Sequence, residues 1–263
     1  FLFHNESEIG HDTGFLYSLY AVAMYKITDE LSWYTNIGKA FELPAINAHT
    51  SAGNLPAAFL SNYSVKPQTG WNYETGLKKI TDTTATKLAV FHMDYKNKFA
   101  WKWFPFLEKI QVNLGKFENT GIEFEHRKIL SDKFEFNLNA TVQDPKSFNE
   151  DWNRWVQESA KVQFSAGVDY KLDKFSANLN CLVLTDREDS AYKRNGASTS
   201  SGKNPDHALR DRFKLNAGFV YRPTTEQSFS LNMYNLLDRD EPLSAYEYYD
   251  LPFNWTLTYT HSF

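Results

Sequence analysis

Apolar and polar side chains alternate along most of this sequence. The clearest case is residues 134–143, where five apolar residues alternate with five polar ones. Successive side chains of a β-strand point to opposite faces, so this stretch predicts a strand with one apolar and one polar face. The same pattern predicts ten further strands, at residues 15–27, 31–37, 71–79, 85–95, 110–127, 161–172, 175–185, 212–222, 228–237 and 253–263.

Three of these strands carry additional information. The strand at 110–127 contains Gly115 and Gly121, either of which could kink it. The last strand, 253–263, is aromatic and apolar on one face and small and polar on the other. In the strand at 85–95 one face carries Ala89, Phe91, Met93 and Tyr95.

The connections between the predicted strands fall into two alternating classes. Short turns are predicted near residues 28, 82, 131, 173 and 225, and long loops at 38–68, 96–109, 144–160, 186–210 and 238–252. The loop at 144–160 could hold a helical turn. One rim of the sheet would then have short turns and the other long loops, which is typical of a bacterial outer-membrane barrel. A soluble β-sandwich is the alternative, but it would not collect every long loop at one end.

Composition agrees with a barrel and excludes other classes. The mean hydropathy of −0.53 argues against a helical membrane protein, and no apolar run reaches the roughly 18 residues of a spanning helix. Aromatic residues make up 16% of the chain, as expected for girdles at two membrane interfaces. The net charge of −4, with no basic face, argues against nucleic acid as a partner. A lone Cys181 excludes a disulfide framework, and the first twelve residues lack the features of a signal peptide.

Five short motifs follow one another in an order that is informative. They are Y-T-N-I-G-K-A-F-E-L-P at 34–44, V-K-P-Q at 65–68, N-Y-E-T-G at 72–76, N-T-G-I-E at 119–123 and M-Y-N-L-L-D at 233–238. Together with the aromatic end of the last strand, they resemble the TonB-dependent outer-membrane receptors. Glu42, Gln68 and His261 depart from the family pattern, which cautions against copying the ligand of any subfamily.

The resemblance implies an all-β, transmembrane antiparallel β-barrel. Barrels of this family have 22 strands and an N-terminal plug domain that contacts TonB. The eleven strands here would be strands 12 to 22, so residues 1–14 would be the tail of an extracellular loop and 15–263 the C-terminal half of the barrel. The plug domain and the N-terminal barrel half would be missing from this chain. Unpaired strand edges in hydrocarbon cost several kcal/mol per amide, so the missing half must be supplied.

The resemblance also implies transport rather than catalysis. The expected function is uptake of a scarce iron chelate, foremost a ferric siderophore, in the bacterial outer membrane. Energy would come from the TonB complex through the plug, and the other partners would be outer-membrane lipid, lipopolysaccharide and the small-molecule metal chelate. No intrinsic cofactor is expected, and the chain lacks the G-x-S-x-G and H-E-x-x-H motifs of hydrolases. A haem or cobalamin receptor and a passive porin-like barrel without energy coupling remain alternatives.

Two groups of loop residues are the leading ligand-binding candidates. His49 lies in the loop where haem receptors of this family place a haem-ligating histidine, and histidine is a suitable axial ligand for haem iron. Trp152, Arg154 and Trp155 could place a guanidinium between two indoles, an arrangement that binds an anionic chelate and stacks on aromatic rings. The alternative for these three residues is a packed loop base or a lipopolysaccharide contact.

Further candidates are aromatic or charged loop residues. An aromatic surface at 101–106 could bind a flat or catecholate ligand, although it could equally belong to the interfacial girdle. His92 and His126 lie in strands and are expected to be structural, and Glu123 and Glu125 are expected on the lumen face. The remaining candidates are Trp101, Trp103, Phe104 and Phe106 for this surface, Tyr246, Tyr248 and Tyr249 for hydroxyl groups, Arg187 and Arg194 for positive charge, and His4, His11 and His207 as weaker ligands.

Overall fold

The computed structural model describes residues 16–44, 65–102, 110–113, 115–149, 153–188, 209–244 and 248–262. Within these ranges the regular secondary structure consists of seventeen β-strands. No helix in these ranges is long and apolar enough to cross a membrane. The strands are β1 (Leu19–Lys26), β2 (Leu31–Glu42), β3 (Gln68–Ile80), β4 (Thr84–Lys96), β5 (Phe99–Lys102), β6 (Ile110–Asn113), β7 (Lys116–Ile129), β8 (Phe134–Gln143), β9 (Lys146–Asn149), β10 (Arg154–Gln157), β11 (Val162–Leu172), β12 (Phe175–Thr185), β13 (Arg212–Tyr221), β14 (Gln227–Tyr234), β15 (Pro242–Ser244), β16 (Tyr248–Tyr249) and β17 (Asn254–His261).

Eleven of these strands form one antiparallel sheet in which spatial order follows chain order. The path is β1-β2-β3-β4-β7-β8-β11-β12-β13-β14-β17, and each strand pairs with the next. These are the eleven strands that alternation predicts, with short turns at one rim and long connections at the other. The sheet is therefore an open section of barrel wall, with β1 and β17 as its two edges among the described strands.

Some strand boundaries differ from the prediction because pairing continues after alternation fades. β2 runs to Glu42 rather than ending at residue 37, and β3 begins at Gln68. The ladder between them closes with Glu42 opposite Gln68, so backbone hydrogen bonding extends both strands. The predicted strand at 110–127 is broken at Gly115, whose φ of 97° suits glycine, whereas Gly121 lies inside β7.

The loop predicted at 144–160 contains a β-hairpin rather than a helical turn. β9 and β10 pair with each other, and β9 also pairs with the start of β7. Pairing on both sides of β9 satisfies its backbone amides, which a single helical turn could not do. The β9–β10 hairpin thus extends the sheet beyond the rim that carries the long loops.

Strand register defines the two faces of the wall. One row of directly opposed residues, Leu77, Leu88, Phe124, Ala140 and Phe164, crosses five strands on the apolar outer face. The neighbouring row on the other face contains Lys87, Glu125 and Asn139, which makes that face the polar inner one.

The apolar residues Ala89, Phe91, Met93 and Tyr95 of β4, predicted to share one face, lie on the inner face of the wall. β4 is apolar at both parities, because Leu88 and Val90 occupy the outer face and are 47% and 48% exposed. Alternation alone cannot orient such a strand. The pairing of β4 with β3 does so, since it fixes which residues lie beside the charged row.

An aromatic girdle lines the outer face near the short turns. Aromatic rings on neighbouring strands contact one another there, as expected where a barrel wall meets the membrane–water interface. Centroid distances are 4.7 Å for Phe134 and Tyr170, 4.6 Å for Phe175 and Tyr221, 6.4 Å for Tyr221 and Phe229, and 4.8 Å for Phe229 and Tyr259.

Candidate functional site

Three of the sequence motifs meet around one lysine on the inner face. Tyr34 donates a hydrogen bond of 2.5 Å to Glu74 Oε1. Lys87 Nζ lies 3.4 Å from Glu74 Oε1, 2.9 Å from Glu123 Oε2 and 3.3 Å from Glu125 Oε1. One ammonium group therefore serves three carboxylates, which leaves the wall around Lys87 with excess negative charge. We call these five residues the Lys87 network.

The glycine that ends the N-Y-E-T-G motif makes room for this network. A Cβ at Gly76 would lie 2.4 Å from the Leu88 carbonyl oxygen and 3.0 Å from both Ala89 Cα and the Tyr34 ring. Ala89 is itself 1% exposed, so the backbone of β4 has no space to retreat. The motif thus combines the acceptor for the Tyr34 hydroxyl with a position that only glycine fits.

A second charged cluster lies on the inner face at the rim with the long loops. Arg212 donates two hydrogen bonds to Asp250, of 2.8 and 2.6 Å, and Lys214 Nζ lies 2.9 Å from Asp250 Oδ2. The side chains of Asp250 and Lys214 are 9% and 10% exposed. Arg187 is close enough to Arg212 for the two cations to repel, and it donates to the Arg210 carbonyl at 3.0 Å. We call Arg187, Arg212, Lys214 and Asp250 the rim cluster.

The N-L-L-D part of the fifth motif holds the loop that carries Asp250. Asn235 is 3% exposed and has a φ of 53°. Its side-chain amide donates to the carbonyl groups of Arg239 and Leu251 at 2.8 and 2.9 Å, and its side-chain oxygen accepts from the Arg239 amide at 3.1 Å. Its own backbone amide donates to Asn216 on β13 at 3.0 Å. A single asparagine therefore ties both ends of the loop to the barrel wall.

Other contacts in this loop support the same geometry. Asp238 Oδ1 accepts from the Phe253 amide at 2.7 Å, just before β17 begins. Glu241 is 4% exposed and forms an ion pair with Arg239. The Asp250 amide donates to the Glu241 carbonyl at 3.3 Å. These bonds fix Asp250 in front of Arg212 and Lys214.

The projecting hairpin separates Arg154 from Trp155. The two are adjacent in β10, so their side chains point to opposite faces. Trp155 is opposite Phe148, with ring centroids 5.5 Å apart, and Lys146 Nζ lies 5.4 Å from the Trp155 ring. Phe148 is in turn opposite the outer-face residue Lys116 of β7. The register therefore places Trp155 on the outer side and Arg154 on the inner side.

Inner-side residues of the hairpin form a compact polar contact. Lys98 Nζ donates to Ser147 Oγ at 2.6 Å and lies 2.9 Å from Glu158 Oε1. Val156, which is 5% exposed, lies on the same side as Ser147 in the hairpin register. Arg154 shares this parity, so of the two described members of the predicted tryptophan–arginine group it is the one that faces the barrel interior.

The comparisons with known proteins decide the family. Residues 4–262 match the family described as TonB dependent receptor-like, beta-barrel. The chain belongs to this family. Its members are receptors and transporters of the outer membrane rather than enzymes, so this β-barrel receptor chain is not expected to catalyse a reaction.

Solved structures give the same fold for this TonB-dependent receptor chain. The ferric-catecholate import receptor Fiu from K12 E. coli is 19% identical, with a TM-score of 0.66, and the match covers 93% of this chain and 34% of that one. The ferric enterobactin receptor PfeA from Pseudomonas aeruginosa is 16% identical, with a TM-score of 0.71 over 94% and 40%. The copper transporter OprC is 14% identical, with a TM-score of 0.67 over 92% and 39%. The chain thus spans about two fifths or less of these proteins. No curated protein matches it significantly.

The structure describes only some of the predicted site residues of the receptor. Of the strand histidines, His92 Nδ1 is 2.7 Å from Thr120 Oγ1 and His126 Nδ1 is 2.9 Å from Thr86 Oγ1 on the outer face, which agrees with structural roles. Trp101 lies in β5 opposite Gln111, and Tyr248 lies in β16 opposite Ser244. Residues outside the described ranges are His4, His11, His49, Trp103, Phe104, Phe106, Trp152, Arg194, His207 and Tyr246.

The arrangement around Trp155 corrects one prediction and reveals residues that were missed. Arg154 and Trp155 lie on opposite faces of the hairpin, whereas a guanidinium held between two indoles would need them on one face. Trp152 lies outside the described residues. Lys87 and Lys214 were not predicted as site residues. Alternation placed Lys87 on the same face as the apolar Ala89 of β4, and only the cross-strand register shows which carboxylates it meets.

The charges of the rim cluster shift the pKa values of its members. Burial alone would raise the pKa of Asp250, but hydrogen bonds from Arg212 and Lys214 outweigh it and hold the pKa below the ordinary 3.8. For Arg187, burial and the nearby Arg212 lower the pKa from its usual range. The loop carboxylate is therefore ionised throughout the physiological range, and it is held by cations.

A pH titration of the receptor should show the contribution of Asp250. Because its folded pKa is depressed, its stabilisation is fully present above pH 3.8 and is lost as the pH falls through the lower folded value. We expect the difference in unfolding midpoint between wild type and Asp250→Asn to be constant from neutral pH to about pH 5 and to shrink only below pH 3.8. A difference that already shrinks between pH 7 and 5 would contradict this.

Replacement of Asn235 should loosen the loop that carries Asp250. Asn235→Gly keeps the left-handed backbone but removes the side-chain hydrogen bonds, at a cost of about 2 kcal/mol. Asn235→Ala also forces a Cβ into that backbone, which adds about 1 kcal/mol. Urea unfolding of the purified receptor, followed by tryptophan fluorescence, would measure both values. Equal stability of the alanine and glycine variants would rule out a contribution from the positive φ.

Proposed function

We propose that the protein is an outer-membrane receptor that takes up an anionic iron chelate, foremost a ferric siderophore. The observation that carries this proposal is the rim cluster, in which the cations Arg212 and Lys214 converge on Asp250 and Arg187 lies beside them. The carboxylates of Glu241 and Asp211 are also near Arg187. The cluster lies on the inner face at the rim with the long loops, which is the extracellular side of such a barrel. A ligand entering the barrel from outside would meet these cationic side chains.

The chemistry of the cluster favours an oxyanion ligand. The planar guanidinium of Arg212 already binds the two oxygens of Asp250, which shows that its geometry suits a carboxylate or a similar paired oxyanion. Burial strengthens such contacts, because screening by water is reduced. Several structures with the same fold are receptors for ferric catecholates, ferric enterobactin and ferripyoverdine, which supports an iron chelate as the ligand.

Energy coupling and the complete barrel are part of the same proposal. In hydrocarbon the free edges of β1 and β17 would leave backbone amides unsatisfied, which supports further strands that close the wall. We assign the eleven strands to positions 12 to 22 of a 22-strand barrel. The excess negative charge of the Lys87 network supports a basic surface as the occupant of the lumen, and we assign this surface to the plug domain through which TonB would act.

Calorimetric titration of the receptor purified from outer membranes tests the ligand class. We use ferric enterobactin, ferripyoverdine, haem and a copper salt as probes, because they represent chelates, the haem alternative and the metal of one structural relative. The proposal expects binding of at least one ferric chelate and none of the copper salt. Haem binding with a Soret shift that disappears in His49→Ala, without binding of either chelate, would replace it by the haem alternative.

A paired substitution in the hairpin tests which side of the wall meets the chelate. Arg154→Ala removes a charge from the inner side and should weaken chelate binding about tenfold, as expected for the loss of one charge-assisted contact. Trp155→Ala removes a large side chain from the outer side and should leave the affinity unchanged. The same calorimetric titration measures both. A larger loss for Trp155→Ala would contradict the assignment of faces.

A further inference from the structure

The inner face of the last four strands of the sheet changes character below the rim cluster. Within β12, β14 and β17, which the structure describes in full, the register places only uncharged side chains on the inner face. Three inner-face residues of β13 that follow Lys214, namely Asn216, Gly218 and Val220, continue this surface. Most of its side chains are those of serine, threonine and asparagine. We call this surface the uncharged strip.

Asparagine side chains run along the strip from the foot of the rim cluster. The side chain of Asn216 accepts a hydrogen bond from the Asn235 backbone amide at 3.0 Å and donates one to Asn180 Oδ1 at 3.2 Å. The amide group of Asn178 lies across Gly218, where an added Cβ would be 2.7 Å from Asn178 Nδ2. The strip is therefore a flat surface of hydrogen-bonding groups that begins beside the cations at the rim.

The neighbouring part of the wall is charged on its inner face. Each of five strands, β3, β4, β7, β8 and β11, carries charge there, with Glu74, Lys87, Glu125, Glu135 and Asp169 as examples. A partner held through ion pairs on this side leaves only at the cost of unpaired charges. Amide and hydroxyl groups, in contrast, exchange their hydrogen bonds with water at little net cost. A body that fills the lumen is thus released more easily from the strip than from the charged strands.

We propose that the chelate passes from the rim cluster to the short-turn rim along the uncharged strip, the side of the described wall from which the plug domain separates during transport. The proposal rests on the proposed function and adds the route to it. An anionic chelate moving along the strip exchanges hydrogen bonds with successive amides and hydroxyls, and it meets no fixed charge there that would hold it or repel it.

A matched pair of asparagine-to-aspartate variants tests this route. Asn232 in the strip and Asn72 of β3 both lie on the inner face, and neither has a charged residue opposite it in the ladder. The import probe is radioactive ferric enterobactin or ferripyoverdine, whichever binds in the calorimetric titration. Asn232→Asp should import it about tenfold more slowly, because the new carboxylate repels the anion. Asn72→Asp and the neutral Asn232→Gln should import at the wild-type rate.

The outcomes separate the route from the function. Calorimetric affinity should be unchanged in all three variants, since the rim cluster is intact. Wild-type import by Asn232→Asp, or equal slowing by Asn72→Asp, would overturn the route while leaving TonB-dependent import by the wild type in place. A failure of the proposed function has a different result, because the wild type itself would then not import the chelate.

Thiol labelling tests the route without relying on the charge of the chelate. Cys181, the single cysteine of this chain, lies on the outer face opposite Ala166 and is first replaced in a Cys181→Ser background. Thr258→Cys in the strip should react with a membrane-impermeant maleimide in cells that import the chelate, and not in cells that lack TonB. Thr141→Cys, on the inner face of β8, should stay unlabelled in both. Equal labelling of the two cysteines would contradict a route along the strip.

Discussion

Neutralising the rim cluster should weaken binding of the ferric chelate about a hundredfold, since two charge-assisted contacts of about 1.5 kcal/mol each are lost. The variant combines Arg212→Gln, Lys214→Gln and Asp250→Asn. All three side chains remain able to form hydrogen bonds, and Arg187, which the variant leaves unchanged, keeps the nearby carboxylates of Glu241 and Asp211. Calorimetric titration with the chelate that binds wild type gives the affinity directly.

Two controls separate charge from structure in this experiment. Asp250→Asn alone leaves Arg212 and Lys214 charged, so it should bind the anionic chelate at least as tightly as wild type. Arg222→Gln removes a positive charge near a short turn, at the opposite rim, and should have no effect. A triple variant that binds like wild type would show that the rim cluster holds only its own loop.

Introducing a side chain at Gly76 should strongly destabilise the barrel wall. The Cβ of Gly76→Ala would lie 2.4 Å from the Leu88 carbonyl oxygen, so β3 and β4 would have to separate. We expect a loss of about 3 kcal/mol, the upper part of the range for overpacking, because the obstacle is backbone rather than a movable side chain. Urea unfolding of the purified receptor and the yield of heat-modifiable protein measure the effect.

Gly38 provides the matched control for this substitution. Its added Cβ would meet a Tyr20 ring carbon at 3.3 Å and the Leu19 carbonyl oxygen only at 3.9 Å. The nearest obstacle is the ring of Tyr20, which is 71% exposed, rather than backbone, so it can move aside. Gly38→Ala should therefore cost much less than Gly76→Ala, and equal losses would contradict the explanation of the N-Y-E-T-G motif.

Alternation predicts this wall well because one face of each strand meets an apolar surrounding. β8 is the clearest example, since its apolar residues all lie on the outer face and its polar ones on the inner face. The approach fails for β4, which is apolar at both parities. It also fails for β9 and β10, four residues each, because so short a hairpin is determined by pairing with β7 rather than by an alternating pattern.

The candidate sites were less predictable than the fold for a similar reason. Glu74 and Glu123 could be recognised through their motifs, but Lys87 lies in no motif and joins them only across the strand ladder. Asp250 lies 38 residues after Arg212 and is brought to it by a loop that Asn235 organises. Long-range partners of this kind follow from register and loop anchoring, which a single sequence does not display.

Uptake of radioactive iron tests the central claim most directly. Cells that carry the receptor receive the radioiron complex of the chelate identified by calorimetry, with and without a functional TonB complex. The proposed function predicts accumulation only when TonB is functional, and strongly reduced accumulation in the Arg212→Gln, Lys214→Gln, Asp250→Asn variant. Equal accumulation with and without TonB would contradict it and would identify a passive pore instead.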